Sequence, residues 1–255
     1  MKKIMQLVLL LAGVLGTGAH GADIYWTNND GDQVWTNNAN WAGLILPGVS
    51  DNARLNKTYS IRPVFSSGMD QTVNNVFLGM TGDVAGFEMT GGSLTTVGSF
   101  EVNKTDTAGH TSQFDMSGGT LAVGGNFRVG WNDNTADFNM TGGLVDTEYG
   151  NVGELGTVIL SNGTIDVRWN WTMDAGALLD IYDGTLIVRN ADAREAQIQG
   201  YIDAGNIVAY GGSGTINMVK EGGILTITAI PEPATISLVV FSAVGLILYR
   251  RKVLR

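Results

Sequence analysis

Cysteine is absent from the 255 residues, which excludes a disulfide framework, a thiolate zinc site and a cysteine nucleophile. Histidine is nearly absent too. His20 falls in a segment that reads as a leader, so His110 alone is left to a mature chain, and metal and triad chemistry lose their usual donor. Positive charge is scarce between the ends: from Asp23 to Ile230, 9 basic residues face 23 acidic ones, a net charge of −14 against −9 for the whole chain. That excess repels phosphate backbones and excludes nucleic acid as a partner, since its binding needs clustered Lys and Arg. Glycine, by contrast, is plentiful: 36 residues, about twice the usual share. With 44% hydrophobic residues the chain is too apolar for a Gly-rich linker, so it folds and turns often.

Long apolar runs occur only at the two ends. Lys2 and Lys3 precede an apolar stretch from Ile4 to Leu15, followed by Gly16, Thr17, Gly18 and Ala19. This charge, hydrophobe and small-residue order predicts a signal peptide over 1–22, cleaved between Ala19 and Ala22. No clean A-x-A site is present, so an uncleaved anchor is the alternative reading. At the other end Pro231-Glu232-Pro233 leads into an uncharged run over 234–249 and then Arg250-Arg251-Lys252-Val253-Leu254-Arg255. Sixteen such residues reach about 24 Å as a helix, close to the roughly 30 Å hydrocarbon core, with Tyr249 at the interface and the arginines snorkelling. The terminal basic cluster predicts a cytoplasmic C-terminus and an exported acidic body.

Pro231-Glu232-Pro233, an apolar helix containing Gly245, and the closing Arg250, Arg251 and Lys252 together resemble the PEP-CTERM sorting signal of bacterial exported proteins. The resemblance covers about 25 residues, 231–255, with its three parts in order. It implies recognition at the inner membrane by an exosortase, removal of the tail near Pro-Glu-Pro, and delivery to the cell surface or an exopolysaccharide matrix. The two prolines fix φ and deny the segment helix or strand bonding, which holds it extended where an enzyme can reach it.

Between the ends the sequence repeats. Phe87-Glu-Met89-Thr-Gly91-Gly92-Ser-Leu94 recurs as Phe114-Asp-Met116-Ser-Gly118-Gly119-Thr-Leu121 and as Phe138-Asn-Met140-Thr-Gly142-Gly143-Leu-Val145. Weaker copies run from Val158 through Gly163 to Ile165 and from Leu179 through Gly184 to Leu186. The second glycines, Gly92, Gly119, Gly143, Gly163 and Gly184, are 27, 24, 20 and 21 residues apart, a solenoid period. Counted from each, apolar residues stand at −5 and −3, at +2 and +4 and at +8 and +10, and this spacing of two is strand alternation. Three short strands with Gly-rich corners thus form one repeat, which must stack on its neighbours to bury its inward residues. The pattern predicts an all-β, single-stranded parallel β-helix (β-solenoid) with Phe87, Phe114 and Phe138 in an interior ladder. Corner glycines, or Asn162 and Asp183 in their place, are expected at positive φ. A β-sandwich is the rival architecture.

The expected layout is a cap over 23–70, β-helix repeats over 71–190, further β coils and a cap over 191–230, and the sorting segment over 231–255. Both flanks and the body also resemble PEP-CTERM proteins with autotransporter-like β-strand repeats.

Candidate chemistry is thin. Gly211-Gly-Ser-Gly214-Thr-Ile-Asn217 resembles one calcium nonapeptide repeat, but Asn217 replaces its aspartate and no second copy follows. Asn28, Asp30 and Asp32 offer close oxygens, while Gln33 and Ala39 exclude an EF-hand. No metal site and no cofactor are expected. Asp115, Asp137, Asp166 and Asp180 occupy outward positions that would stack into one acidic face, and two such acids suffice for glycoside hydrolysis. Solubility alone also asks for outward acids, and His110 reads as a solvated loop residue. Trp26, Trp35 and Trp41 cover the first coil or, as the second reading, form a carbohydrate-contact platform. The expectation is an exported, non-enzymatic surface or matrix protein of structural or adhesive role; an exopolysaccharide-binding module is the alternative, and a polysaccharide lyase or glycosidase the third.

Overall fold

The computed structural model describes residues 21–57, 59–80, 84–104, 109–131 and 134–232. Its strands run, in chain order, β1 (Asp23–Tyr25), β2 (Asn52–Leu55), β3 (Val64–Phe65), β4 (Asp70–Val73) and β5 (Asn75–Leu78). There follow β6 (Ala85–Thr96), β7 (Phe100–Val102), β8 (Thr111–Val129), β9 (Thr135–Val152) and β10 (Gly156–Met173). The chain closes with β11 (Leu178–Ile181), β12 (Thr185–Val188), helix α1 (Ala191–Asp203), β13 (Ile207–Ala209), β14 (Thr215–Glu221) and β15 (Ile224–Ile230). Pairing between successive coils is parallel, and the whole is a β-solenoid of about five turns rather than a sandwich.

Three ladders of inward residues fill the interior, at the three spacings counted from the glycines. The first aligns Phe87, Phe114, Phe138, Val158, Leu179 and Ile207. The second aligns Leu94, Leu121, Val145, Ile165 and Leu186, and the third Phe100, Phe127, Gly150 and Trp171. The three phenylalanines of the first ladder are wholly buried, and their rings stack at 5.2 and 4.8 Å. Within the third ladder a large ring stands beside a small residue: a Cβ on Gly150 would collide with the Trp171 ring of the next coil, so glycine makes the room that Trp171 fills. Inward Thr96 and Thr147 are satisfied by carbonyls, Thr147 Oγ1 donating to Gly125 O at 3.1 Å or Tyr149 O at 3.0 Å.

The corner chemistry differs from the expectation in part. Gly92, Gly119, Gly143 and Gly163 have φ of 78°, 88°, 93° and 87°, the left-handed region that favours glycine. Asn162, Asp183 and Gly184 are not in that region. Gly184 is required for another reason: a Cβ there would run into the Leu160 side chain of the coil before it.

Two further differences concern the ends. The third ladder begins at β1, since β1 pairs with β2 and β2 with β5, so solenoid pairing extends well before residue 71. The expected β structure over 191–230 starts instead with α1, at the place where the next third-ladder strand would fall. Ala191 to Gln199 contains good helix formers and only one β-branched residue, and Gly205 at φ 76° stops the helix. Ala191 and Ile198 are its buried residues. Beyond it β15 adds antiparallel to β12 and carries β14 on its other side, covering the last coil. Lys220 of β14 holds Asp192 and Glu195 of α1 at 2.8 and 2.9 Å, which ties helix to hairpin and raises the Lys220 pKa.

Candidate functional site

Trp26, Trp35 and Trp41 are 1%, 0% and 0% exposed, so they present no ring face to a sugar. The platform reading is thereby corrected to a cap. Trp35 continues the aromatic column, 5.8 Å from Phe65 and 5.4 Å from Phe87, and Trp41 lies edge-on to both Trp26 and Trp35. Indole N–H groups of Trp26 and Trp41 donate to Ile61 O and Trp35 O at 2.9 and 2.7 Å. Their tight packing explains the nearby Asn- and Asp-rich stretch: Asn37 Nδ2 donates to Asp30 at 2.7 Å or Asp32 at 2.8 Å, and Asn40 Nδ2 also donates to Asp32. Asn28 Oδ1 accepts from Gln33 N at 3.1 Å. Hydrogen bonds from Val34 N, then Asn37 and Asn40, hold the Asp32 carboxyl below its usual range. These oxygens are committed to closing the cap loop.

The four outward aspartates do not form one face. Asp115, Asp137 and Asp180 lie on the first sheet, and Asp166 lies on the second. Arg189 of the next coil binds both oxygens of Asp166 at 2.8 and 2.6 Å, just as Arg168 binds Asp146 at 3.1 and 2.8 Å. Asp180 is nearly buried and accepts from Gly211 N at 2.9 Å. Asp115 accepts from Gln113 Nε2 at 2.9 Å and Asn139 Nδ2 at 3.0 Å, and Glu88 accepts from Arg62 at 2.6 Å. Partial burial, then the Asp115 charge, pushes the Asp137 carboxyl above its usual range.

Between these chains lies a shallow depression of about 120 Å³, lined by Glu88, Asp115, Met116, Ser117, Asn139 and Thr141. Small-molecule sites usually begin near ~300 Å³. Among the described residues no group of three or more His, Asp or Glu is placed to hold a metal ion. The Gly211–Gly212 segment is a turn leading into β14, with φ of 65° and 87°. His110 is half-buried and held through its backbone, its N–H donating to Asn134 Oδ1 and its carbonyl accepting from Asn103 Nδ2, each at 3.0 Å.

Of the sorting residues, Pro231 and Glu232 are exposed immediately after β15. Pro233, the run 234–249 and Arg250, Arg251 and Lys252 lie outside the described residues, as do residues 1–20 of the expected signal peptide over 1–22. Among the described residues no helix is long and apolar enough to cross a membrane.

Two surfaces were not anticipated from sequence. Outward on the third sheet, Tyr25, Arg54, Phe77, Glu101 and Arg128 are aligned in register. Arg54 lies 4.4 Å from the Phe77 ring centre, Arg128 4.0 Å from that of Trp131, and Lys104 pairs with Glu101 at 2.7 Å. Three of the body's few cations are thus spent on an aromatic outer skin, and Arg54 also grips Asp23 through two bonds of 2.9 and 2.8 Å. The second surface is a corner carrying Tyr149 and Trp169, 43% and 53% exposed. The signal for the first was in the outward positions of the repeat, whose residues alternate with the counted hydrophobes; Trp169 shares the parity of buried Val167 and Trp171 and gave no such signal.

The fold and these surfaces define a parallel β-solenoid with closed ends. Comparison with known proteins returns no matching family, no matching curated protein and no matching solved structure.

Proposed function

We propose that this chain is an exported, non-enzymatic surface or matrix protein, held at the inner membrane by a helix over 234–249 and sorted by an exosortase through Pro231-Glu232-Pro233. The observation that carries this reading is the junction at Ile230. There β15 completes the antiparallel cap, and exposed Pro231 follows at once. The hairpin that covers the last coil is built of residues that all precede Pro231, as a domain to be released requires. The commitment of Asp32, Asp115, Asp166 and Asp180 to structural hydrogen bonds favours a structural or adhesive role for that body.

The test is expression in a host with and without an exosortase. The reading expects a mature form shortened by about the tail's 25 residues only when the peptidase is present. Changing Pro231, Glu232 and Pro233 together to alanine should leave the full-length form in both hosts. Shortening that is indifferent to the peptidase or to the motif would contradict it.

A further inference from the structure

Where each coil leaves the second sheet and enters the third, its outward residues stack into a column. Val97-Gly98 is followed by Gly124-Gly125 on the next coil, with Gly125 N donating to Gly98 O at 2.9 Å. Below them the third coil rounds the corner through Glu148, with Tyr149 opposite Asn126, and the fourth through Arg168-Trp169. Register brings Tyr149 opposite Asn170, the residue after Trp169, so Tyr149 and Trp169 stand on adjacent coils ~4.8 Å apart, one position out of register.

Trp169 is the exposed tryptophan among the described residues, and its position is built. Pairing slips between Val123 and Asn126 and again between Val167 and Asn170, so the third coil rounds this corner with one residue fewer than the second and the fourth. Such a mismatch in corner length breaks the strand alternation, and Trp169 faces outward while Trp171, two residues on, stays fully buried. The glycine floor beside Tyr149 is fixed by packing, since a Cβ on Gly124 would strike Val97 O. A flat, side-chain-free step therefore adjoins two exposed rings.

Area and charge choose the ligand. Aromatic side chains offer about 150–250 Å² each, so two half-exposed rings present roughly 200 Å², far below the ~800 Å² per partner of a stable protein interface. That area suits one or two pyranose rings. The aromatic faces favour sugars whose hydroxyls are all equatorial, because their axial C–H bonds then point at the ring. Planar hydrogen-bonding groups flank the ledge: the Asp146–Arg168 pair, with Arg168 Nη1 also 4.0 Å from Glu148. Near the ledge Arg168 and Arg189 nearly balance Asp146, Glu148 and Asp166, whereas the body as a whole carries −14, which repels polyanions.

We infer that the Tyr149–Trp169 corner binds an extended, neutral polysaccharide of equatorially substituted pyranoses, of the β-1,4-glucan kind. The inference concerns the folded body and does not depend on how the tail is processed.

Cellohexaose titrated into the full-length protein in a detergent without a sugar headgroup, followed by calorimetry, is the test. Saturable binding is expected, weakened about ten-fold or more by Trp169→Ala and several-fold by Tyr149→Ala. Val219→Ala, at an exposed apolar residue on β14, should bind as wild type, and all three variants should keep the wild-type urea midpoint. No saturation up to roughly 10 mM, or unchanged binding in a folded Trp169→Ala protein, overturns the proposal. Tighter binding of an alginate hexamer than of cellohexaose overturns the assignment of a neutral ligand.

Discussion

The ring of Phe114 lies 4.8 Å from that of Phe138, and their planes differ by only 14°. On its other side Phe114 stacks on Phe87 at 5.2 Å, so one ring is sandwiched between the coils before and after it. This is the solenoid's logic in miniature: a repeat that cannot bury its own inward face completes it with identical residues one coil away. Phe114→Ala removes a ring from the middle of that column. It should cost about 3–5 kcal/mol in urea unfolding, the range for a fully buried aromatic. A loss below about 1 kcal/mol would show that the column is not core.

Two glycines separate backbone need from mere tolerance. Gly119 has φ 88°, and a Cβ there would meet Gly91 C and Gly92 O at 2.6 and 2.7 Å, so Gly119→Ala should destabilise by at least about 1–3 kcal/mol. Gly200 lies within α1, and a methyl group added there would meet nothing within 4 Å, so Gly200→Ala should stabilise by about 0.5–1 kcal/mol. Thermal melts of the two variants should move in opposite directions. Equal shifts would contradict the assigned corner.

Asp137 should make stability fall as pH rises through its raised pKa, because the folded state must then ionise a part-buried carboxyl beside Asp115. Protonated in both states at low pH, the group costs nothing there. Asp137→Asn should therefore raise the unfolding midpoint near pH 7, and the gain should vanish near pH 3. A variant no more stable than wild type at neutral pH, or a gain that persists in acid, would contradict the assigned cause.

The inward ladders were legible because Phe87, Phe114 and Phe138 keep phase with their glycines, and pairs spaced by two can only be strands. What phase did not carry was lost. The coils of β1 and β2 lack the Gly-Gly corner, and the Trp-rich segment between them conceals that they pair with β5. Helix α1 was hidden by the expectation of a third strand, although its run of helix formers ended by Gly205 was visible. Composition could place Trp26, Trp35 and Trp41 near the first coil but could not separate a cap from a platform, since that depends on what covers each ring. Trp169 was invisible for the converse reason: only the slip in pairing after Val167 shows that it faces outward.

A body that folds by itself and a tail that alone holds it to the membrane are the two halves of the proposed function. The most direct test is membrane fractionation of a protein lacking residues 231–255, with circular dichroism of the soluble fraction. The body carries a net charge of −14, and its helix α1 holds three acidic residues against one basic, which opposes attraction to an anionic membrane surface. The truncated protein should appear in the soluble exported fraction with its strand signal intact, while the full-length chain sediments with membranes when no exosortase is present. Sedimentation of the truncated protein, or loss of its strand signal, would show that the tail belongs to the fold and would contradict the sorting role.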